Sequence, residues 1–326
     1  MNKKIVTILF ISAAFLLNAC QKNIDMFVPD PGQSNGADTT WYSTVNGTMP
    51  VTALRTSLLL PVIKDSFELT GSVAASLTVN DAQFTFPAHS LINNLGQIVV
   101  GKVYAEVQVI KKKGDMILAN KPTTSNGSML VSGGELFISL RKDGQELKLA
   151  ANTGIQIRYT DLPVNPAMGL FYGDESNPLN FNWIPNQDTA NRLTAGQQVY
   201  EIITNQLRWI NCDYFYDTSN ITRSFVSAKL PANYTNANTI VYLVFKDLRS
   251  VLAMGADVPE RRFITGKIAN GKAATVVAIS KQGNDYFLGK ETITTGLNTG
   301  STNTQKINLT PTKVSLADIK LYLSTL

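Results

Sequence analysis

Apolar side chains recur at every second position through much of this chain. The longest such run spans residues 99–110, with Val103, Ala105, Val107 and Val109 on one side and Lys102, Tyr104, Glu106 and Gln108 between them. Successive side chains of an extended strand point to opposite faces, so a period of two fits a half-buried strand and not a helix. Shorter runs with the same period are Ser66-Phe67-Glu68-Leu69-Thr70, Ser76-Leu77-Thr78-Val79, Gln83-Phe84-Thr85-Phe86 and Ile155-Gln156-Ile157-Arg158-Tyr159. Lys142-Asp143-Gly144-Gln145 lies between Leu136-Phe137-Ile138-Ser139-Leu140 and Glu146-Leu147-Lys148-Leu149. Asp-Gly is a hairpin signal, because both central residues of the tight turn need positive φ. Short strands broken by Gly, Asn and Asp at spacings of roughly 8–12 residues predict a sandwich or barrel.

Residues 161–195 change character, with Pro163, Pro166, Pro178 and Pro185 among Asn165, Asn177, Asn180, Asn182 and Asn186. Proline fixes φ and removes a backbone donor, so this stretch is expected to be a restrained connector between two domains. Alternation resumes over 199–216, and 224–230, 239–245, 272–279, 286–294 and 306–309 are expected to follow as strands. Leu316, Ile319 and Leu323 stand at helical spacing behind Ser315, a favourable cap, and predict a short C-terminal helix. The expected class is therefore all-β: two Ig-like β-sandwich domains in tandem, over 47–160 and 196–326, with a terminal helix. A hydrophobic content of 44% supports a globular chain, while 16% charged residues is low, so Asn, Thr, Ser and Gln must supply the polar surface.

The N-terminus gives an address. Lys3-Lys4 precedes a mostly apolar run over residues 5–17. Such a run reaches roughly 20 Å as a helix, against a hydrocarbon core of about 30 Å, and so suits a signal peptide better than a membrane span. It ends in Leu17-Asn18-Ala19-Cys20, which resembles the bacterial lipobox. The resemblance implies a signal peptide over 1–19, cleavage before Cys20, and acyl chains such as palmitate on that cysteine. One chain binds a bilayer marginally and several hold firmly, so the membrane is an expected partner through this anchor. Gln21 stands where an Asp would favour inner-membrane retention in such lipoproteins, which implies an outer-membrane destination. Lys22 and Asp25 resemble in part the charged surface-export signal of Bacteroidetes lipoproteins, and both the periplasmic and the cell-surface face stay open. Residues 20–46, rich in Pro, Gly, Ser, Asn and Asp, are expected to form a flexible tether reaching roughly 25–30 Å.

A second resemblance lies in the first half. Phe86-Pro87-Ala88-His89-Ser90-Leu91, followed by Gly96-Gln97-Ile98-Val99-Val100-Gly101-Lys102-Val103, is similar to a stretch of ZU5-like β-sandwich modules. Asp115-Met116-Ile117-Leu118-Ala119 and Ser132-Gly133-Gly134-Glu135-Leu136-Phe137 resemble its continuation in Bacteroidetes surface lipoproteins. The resemblance covers residues 65–160, and His89 departs from it where a small residue is usual. It implies a ZU5-like fold and an interaction role, and it brings no catalytic residues.

Candidate chemistry is sparse. His89 is the only histidine, which argues against histidine metal sites and hydrolytic triads. Cys20 is committed to lipid and Cys212 has no partner, so no disulfide is expected. Trp209-Ile210-Asn211-Cys212-Asp213-Tyr214-Phe215-Tyr216 is the richest cluster, and as a strand it sets Trp209, Asn211, Asp213 and Phe215 on one face. Together with Trp183 these residues read either as an aromatic, hydrogen-bonding platform for a glycan or other ligand, or as filling of a sandwich core. Cys212 has no neighbouring cation to activate it and reads as a small buried hydrophobe. No calcium-loop motif exists, and neither a metal nor a cofactor is expected. Asp38-Thr39-Thr40 and Asp188-Thr189-Ala190 match the Bacteroidetes O-glycosylation pattern, with Thr39 and Thr189 as acceptors. Lys111-Lys112-Lys113 is the one basic run, too little for a nucleic-acid stripe. The expected function is that of a non-catalytic envelope lipoprotein that binds or scaffolds a protein or polysaccharide. The alternative is a glycan-processing hydrolase using two carboxylates from among Asp174, Glu175, Asp213 and Asp217.

Overall fold

A computed structural model describes residues 38–176 and 181–326. Cys20, the expected signal peptide and the expected tether as far as residue 37 lie outside the described residues. The alternating segments become strands as expected. The first sheet runs Ile63–Leu69, Gly101–Ile110, Ser128–Lys142, Arg208–Phe215, Gly169–Asp174, Asn182–Pro185 in spatial order. The second runs Arg192–Ala195, Tyr200–Thr204, Ile155–Tyr159, Ala82–Phe86, Ala75–Val79. Val103, Ala105, Val107, Ile138 and Ile210 of the first sheet face Phe84, Phe86, Ile155, Ile157 and Ile202 of the second in one core. Phe67 stacks on Phe86 at 4.5 Å with planes 8° apart, locking the two sheets together. The hairpin after Lys142 turns at Asp143 and Gly144, with φ of 50° and 77°, the positive values its sequence called for.

The stretch expected as a connector is part of this sandwich. Gly169–Asp174 pairs with Arg208–Phe215, Asn182–Pro185 pairs with Gly169–Asp174, and Arg192–Ala195 extends the second sheet. Pro185 sits on the edge strand of the first sheet, a position where a missing N–H costs no ladder bond. Tyr200–Thr204 and Arg208–Phe215, expected to open the second domain, also belong to the first sandwich, which therefore reaches Phe215 and not residue 160. The reason is non-local. Arg208–Phe215 pairs with Ser128–Lys142, and periodicity along a strand does not say which distant strand it will meet.

The second sandwich is smaller. Arg223–Lys229 is flanked by Arg262–Ile264 and Ile268–Ala269, with Thr304–Asn308 running parallel to it. The facing sheet runs Val251–Ala253, Thr239–Phe245, Ala273–Gln282, Asp285–Thr294, Thr312–Val314. Val226 and Ala228 meet Leu243, Phe245 and Val276 in its core.

A third core joins the two sandwiches. Phe137, Phe171, Trp183 and Trp209, on the outer face of the first sheet, meet Ile240, Tyr242, Val244, Val277 and Ile279, on the outer face of the second sandwich. Three helices fill the seam: α1 (Pro50–Leu58), α2 (Lys113–Leu118) and α3 (Leu316–Ser324). α1 contributes Val51, Leu54 and Leu58, α2 contributes Met116 and Ile117, and α3 contributes Ile319 and Leu323. Only α3 was expected. It carries a full capping box, with Asp318 N donating to Ser315 Oγ at 3.1 Å and Ser315 N donating to Asp318 Oδ2 at 3.0 Å. α2 and α3 touch through Gly114, where a Cβ would stand 1.8 Å from the Leu323 carbonyl oxygen. Thr239–Phe245 is buried at every position because it has a core on each face.

Thr39–Leu326 forms one unit. The described end of the expected tether is already docked in it: Trp41 packs on Phe263 at 5.0 Å, and Tyr42 exchanges two hydrogen bonds with Asn236, at 3.0 and 2.6 Å.

Candidate functional site

The Trp209 strand was the sequence's best candidate, and the structure turns it inward. Ile210 and Cys212 point into the first core, which places Trp209 and Asn211 on the seam face. Trp183 is 0% exposed, Trp209 7%, and Asn211 and Asp213 are both 0%. These four residues therefore present no platform to solvent, and the reading of them as ligand-facing is corrected to core. The aromatic residues fill one cluster. Trp183 lies edge-on to Phe181 at 4.8 Å and to Trp209 at 6.3 Å, while Phe137 lies 4.9 Å from Trp209. Gly173 makes room for it: a Cβ there would come within 2.6 Å of both Phe181 and Trp209. Phe215 stays partly outside, 48% exposed, against Phe171.

Lys121 roofs this cluster, with Nζ 3.9 Å from the Phe181 ring centre and 4.6 Å from that of Trp209. Burial pulls its amine down to about 8, against the opposing charges of Glu175 and Glu135. Beside it, Arg208 takes Glu175 with two prongs, at 2.8 and 3.1 Å, and Glu146 with a third contact at 3.1 Å.

Two carboxyls that the sequence did not pair come together beneath. Glu135 lies directly across the strand boundary from Asn211. The ladder then slips by one residue at Gly133, so that Asp213 faces Ser132. Both carboxyls are fully buried. Burial lifts Glu135 well above the usual carboxylate range; the Asp213 charge lifts it further and Lys121 opposes. Burial also pushes Asp213 up to about 7, although Ser132, Asn211, the Gly133 N–H and Arg249 favour its charged form. No oxygen of either carboxyl completes a hydrogen bond of ordinary geometry, and Asn211 Nδ2 is likewise unsatisfied. The sequence carried one signal of this place, the Gly133-Gly134 pair beside an acid inside an apolar strand, which marks a bulge. A glycosidase needs its two carboxyls open to a sugar and a water, and neither Glu135 nor Asp213 reaches solvent. Asp174, Glu175 and Asp217 lie in or near the surface, and Glu175 is engaged by Arg208.

The other candidates sit as follows. Burial pushes the Cys212 thiol up, away from any thiolate role. His89 is exposed in the turn after Ala82–Phe86, at a φ of 57°. Thr39 and Thr189 are exposed. Thr189 sits in a turn held by Asp188, whose Oδ1 accepts from Ala190 N at 2.9 Å and whose Oδ2 accepts from Asn205 Nδ2 at 2.8 Å. Among the described residues, no three His, Cys, Asp or Glu side chains converge.

An open groove of about 520 Å³ runs where the two sandwiches meet. Asn120, Asn126, Asp174 and Asn182 line it from the first sandwich, Lys267 from the second, and Arg55 from α1. Asn182 Nδ2 donates to Asn126 Oδ1 at 3.0 Å, and Asn126 N donates to Asn182 Oδ1 at 2.8 Å, which fixes the amides on one wall. No protein-family model matches the chain, and no curated protein matches it.

Proposed function

We propose that this protein is a lipid-anchored lipoprotein of the bacterial cell envelope, held through Cys20, whose two-sandwich body binds or scaffolds a glycan or protein partner without a catalytic step of its own. The groove between the sandwiches is the observation that carries the binding role. Its polar lining is the amides of Asn120, Asn126 and Asn182 and the Thr124 hydroxyl, with one acid and two bases, beside apolar Met129, Phe181, Leu252 and Ile268. Amides set against apolar surface suit a hydrogen-bonding partner with apolar faces, such as a polysaccharide. Residues from both sandwiches line it, and the shared core beneath holds those walls in fixed register. Ligand geometry preset by the fold lowers the ordering cost of binding. Of the buried aromatic cluster Phe181 lines this groove, while Trp183 and Trp209 stand outside its lining. The leader, the lipobox-like Leu17-Asn18-Ala19-Cys20 and the polar stretch after it support the anchoring.

Two measurements test the reading. Cells fed labelled palmitate should label the wild-type protein and not Cys20→Ser; label retained in the variant removes the anchor. A photo-crosslinking residue placed at Asn182 or Lys267 should capture an envelope component that the same residue at Ser76, in the outermost strand of the second sheet, does not. Equal capture at all three positions removes the groove as the site.

A further inference from the structure

We propose that Glu135, Asn211, Asp213 and Ser132 form an internal binding site for one divalent cation, calcium by preference. The argument starts from orphaned atoms. Both oxygens of Glu135, both oxygens of Asp213 and the amide nitrogen of Asn211 are buried without a hydrogen-bond partner, all within one stretch of two paired strands. A buried polar group left unmatched costs about 1–3 kcal/mol, and a charged one more. Ser132, the Asn211 amide and the Gly133 N–H lean toward Asp213, so of the five atoms the two Glu135 oxygens are the clearest sign of a missing partner. The five are mostly acceptors. A cation satisfies acceptors; a hydrophobic neighbour does not.

The donor set has the chemistry of a hard-cation site. Two carboxylates offer two oxygens each, and the Asn211 carbonyl and Ser132 hydroxyl offer one each. That makes about six oxygens, the lower end of the calcium range. Binding of the ion would release the protons that burial favours on the two carboxyls, leaving two negative charges to match a divalent ion. The bulge at Gly133 draws Ser132 and Asp213 toward Glu135 and Asn211. Ser132 Oγ accepts from Gly134 N at 3.0 Å and stands 3.3 Å from Asn211 Oδ1, long for a hydroxyl hydrogen bond, whose usual length is about 2.7–2.8 Å. It is the separation expected of neighbouring ligands around an ion at about 2.3–2.6 Å, roughly 3.3–3.7 Å for a right-angled pair. Magnesium keeps several waters and demands a tighter octahedron, for which a site without solvent exposure is poorly suited. Zinc prefers nitrogen and sulfur, and the Cys212 sulfur lies in the first core, off this face.

The surrounding charges are consistent. Lys121 acts on Glu135 from α2's C-terminal side, and Arg249, tied to Asp161 at 2.8 Å, acts on Asp213. Neither cation lies within ion-pair distance of Glu135 or Asp213, so neither occupies the place of the proposed ion.

The test uses the full chain, with calcium chloride as the probe. After dialysis against trace calcium, elemental analysis should find about one calcium per chain. Calcium at about 1 mM should raise the thermal midpoint by roughly 5 °C over the same protein in EGTA, if the site binds near 10 µM. Magnesium should not reproduce that rise. Ser132→Ala should weaken binding about tenfold, and the E135Q/D213N double variant should lose both the bound calcium and the midpoint shift. Calcium below about one-tenth per chain, with identical midpoints in calcium and EGTA, overturns the proposal. So does wild-type binding by the double variant. If the variants fail to fold, the calcium content and EGTA response of the wild-type chain decide it.

Discussion

The first sandwich core and the seam between the sandwiches are both dry, aromatic and well filled, yet they are written into the chain differently. In the first core each strand has one inner and one outer face. Ile155–Tyr159 buries Ile155, Ile157 and Tyr159 and shows Gln156 and Arg158 to water, so its sequence alternates. In the seam the strands have cores on both sides. Thr239–Phe245 is apolar nearly throughout, and Ser128–Lys142 is buried from Met129 to Leu140. A strand covered twice loses its period and gains enclosed polar groups, Glu135 and Ser132 among them. The seam also takes three helices, two of which touch across Gly114, while the first core is built from strands alone. Local pattern therefore reports a core with a wet side and is silent about one without.

That contrast can be broken experimentally. Trp183→Ala empties the centre of the seam and should cost about 4 kcal/mol, comparable to Phe84→Ala in the first core. The two should differ in form. Loss of Trp183 should split a single unfolding transition into two as the sandwiches uncouple, whereas Phe84→Ala should lower the first sandwich alone. A single transition, with less than about 1 kcal/mol lost in Trp183→Ala, would show that the seam does not weld the halves. Gly114→Ala drives a methyl into the Leu323 carbonyl and should cost about 3 kcal/mol, read as a lower urea midpoint.

The buried acids sharpen the comparison through pH. Asp213 titrates near 7 in the fold, above its ordinary value of 3.8. The folded state therefore holds the proton more tightly than the unfolded chain. Its contribution is fully present below about pH 4, is lost as pH rises toward 7, and is flat above that. In calcium-free buffer, Asp213→Asn should remove this decline; a variant that keeps the wild-type slope between pH 4 and 7 assigns the titration elsewhere. The smallest effect concerns α3, where Ser315→Ala should cost about 1 kcal/mol by removing the cap, with circular dichroism showing the helix frayed and not lost.

Most strands were legible because their period of two needs only neighbouring residues. Residues 155–159 begin and end where the alternation placed them, residues 239–245 were expected as a strand although they do not alternate, and α3 followed from Ser315 and the spacing of Ile319 and Leu323. α1 and α2 were not legible. Lys113–Leu118 is short, and Pro50–Leu58 shows its apolar stripe at Val51, Leu54 and Leu58 only once the seam is there to receive it. Of the candidate site, Trp209, Asn211 and Asp213 were found as a cluster sharing a face, but the direction of that face was not. Glu135 escaped notice because its partners lie far along the chain.

By itself, then, the sequence determined an all-β chain with a capped terminal helix and the positions of its hairpin turn and of most of its strands. Only the tertiary structure decided that residues 169–215 complete the first sandwich, that the tryptophans weld two bodies and do not face a ligand, and that two acids share a dry interior. The physical reason is range. Alternation and capping are settled within a few residues, whereas strand partnership, burial and the ionisation of an enclosed carboxyl depend on groups that the chain brings together only by closing long loops.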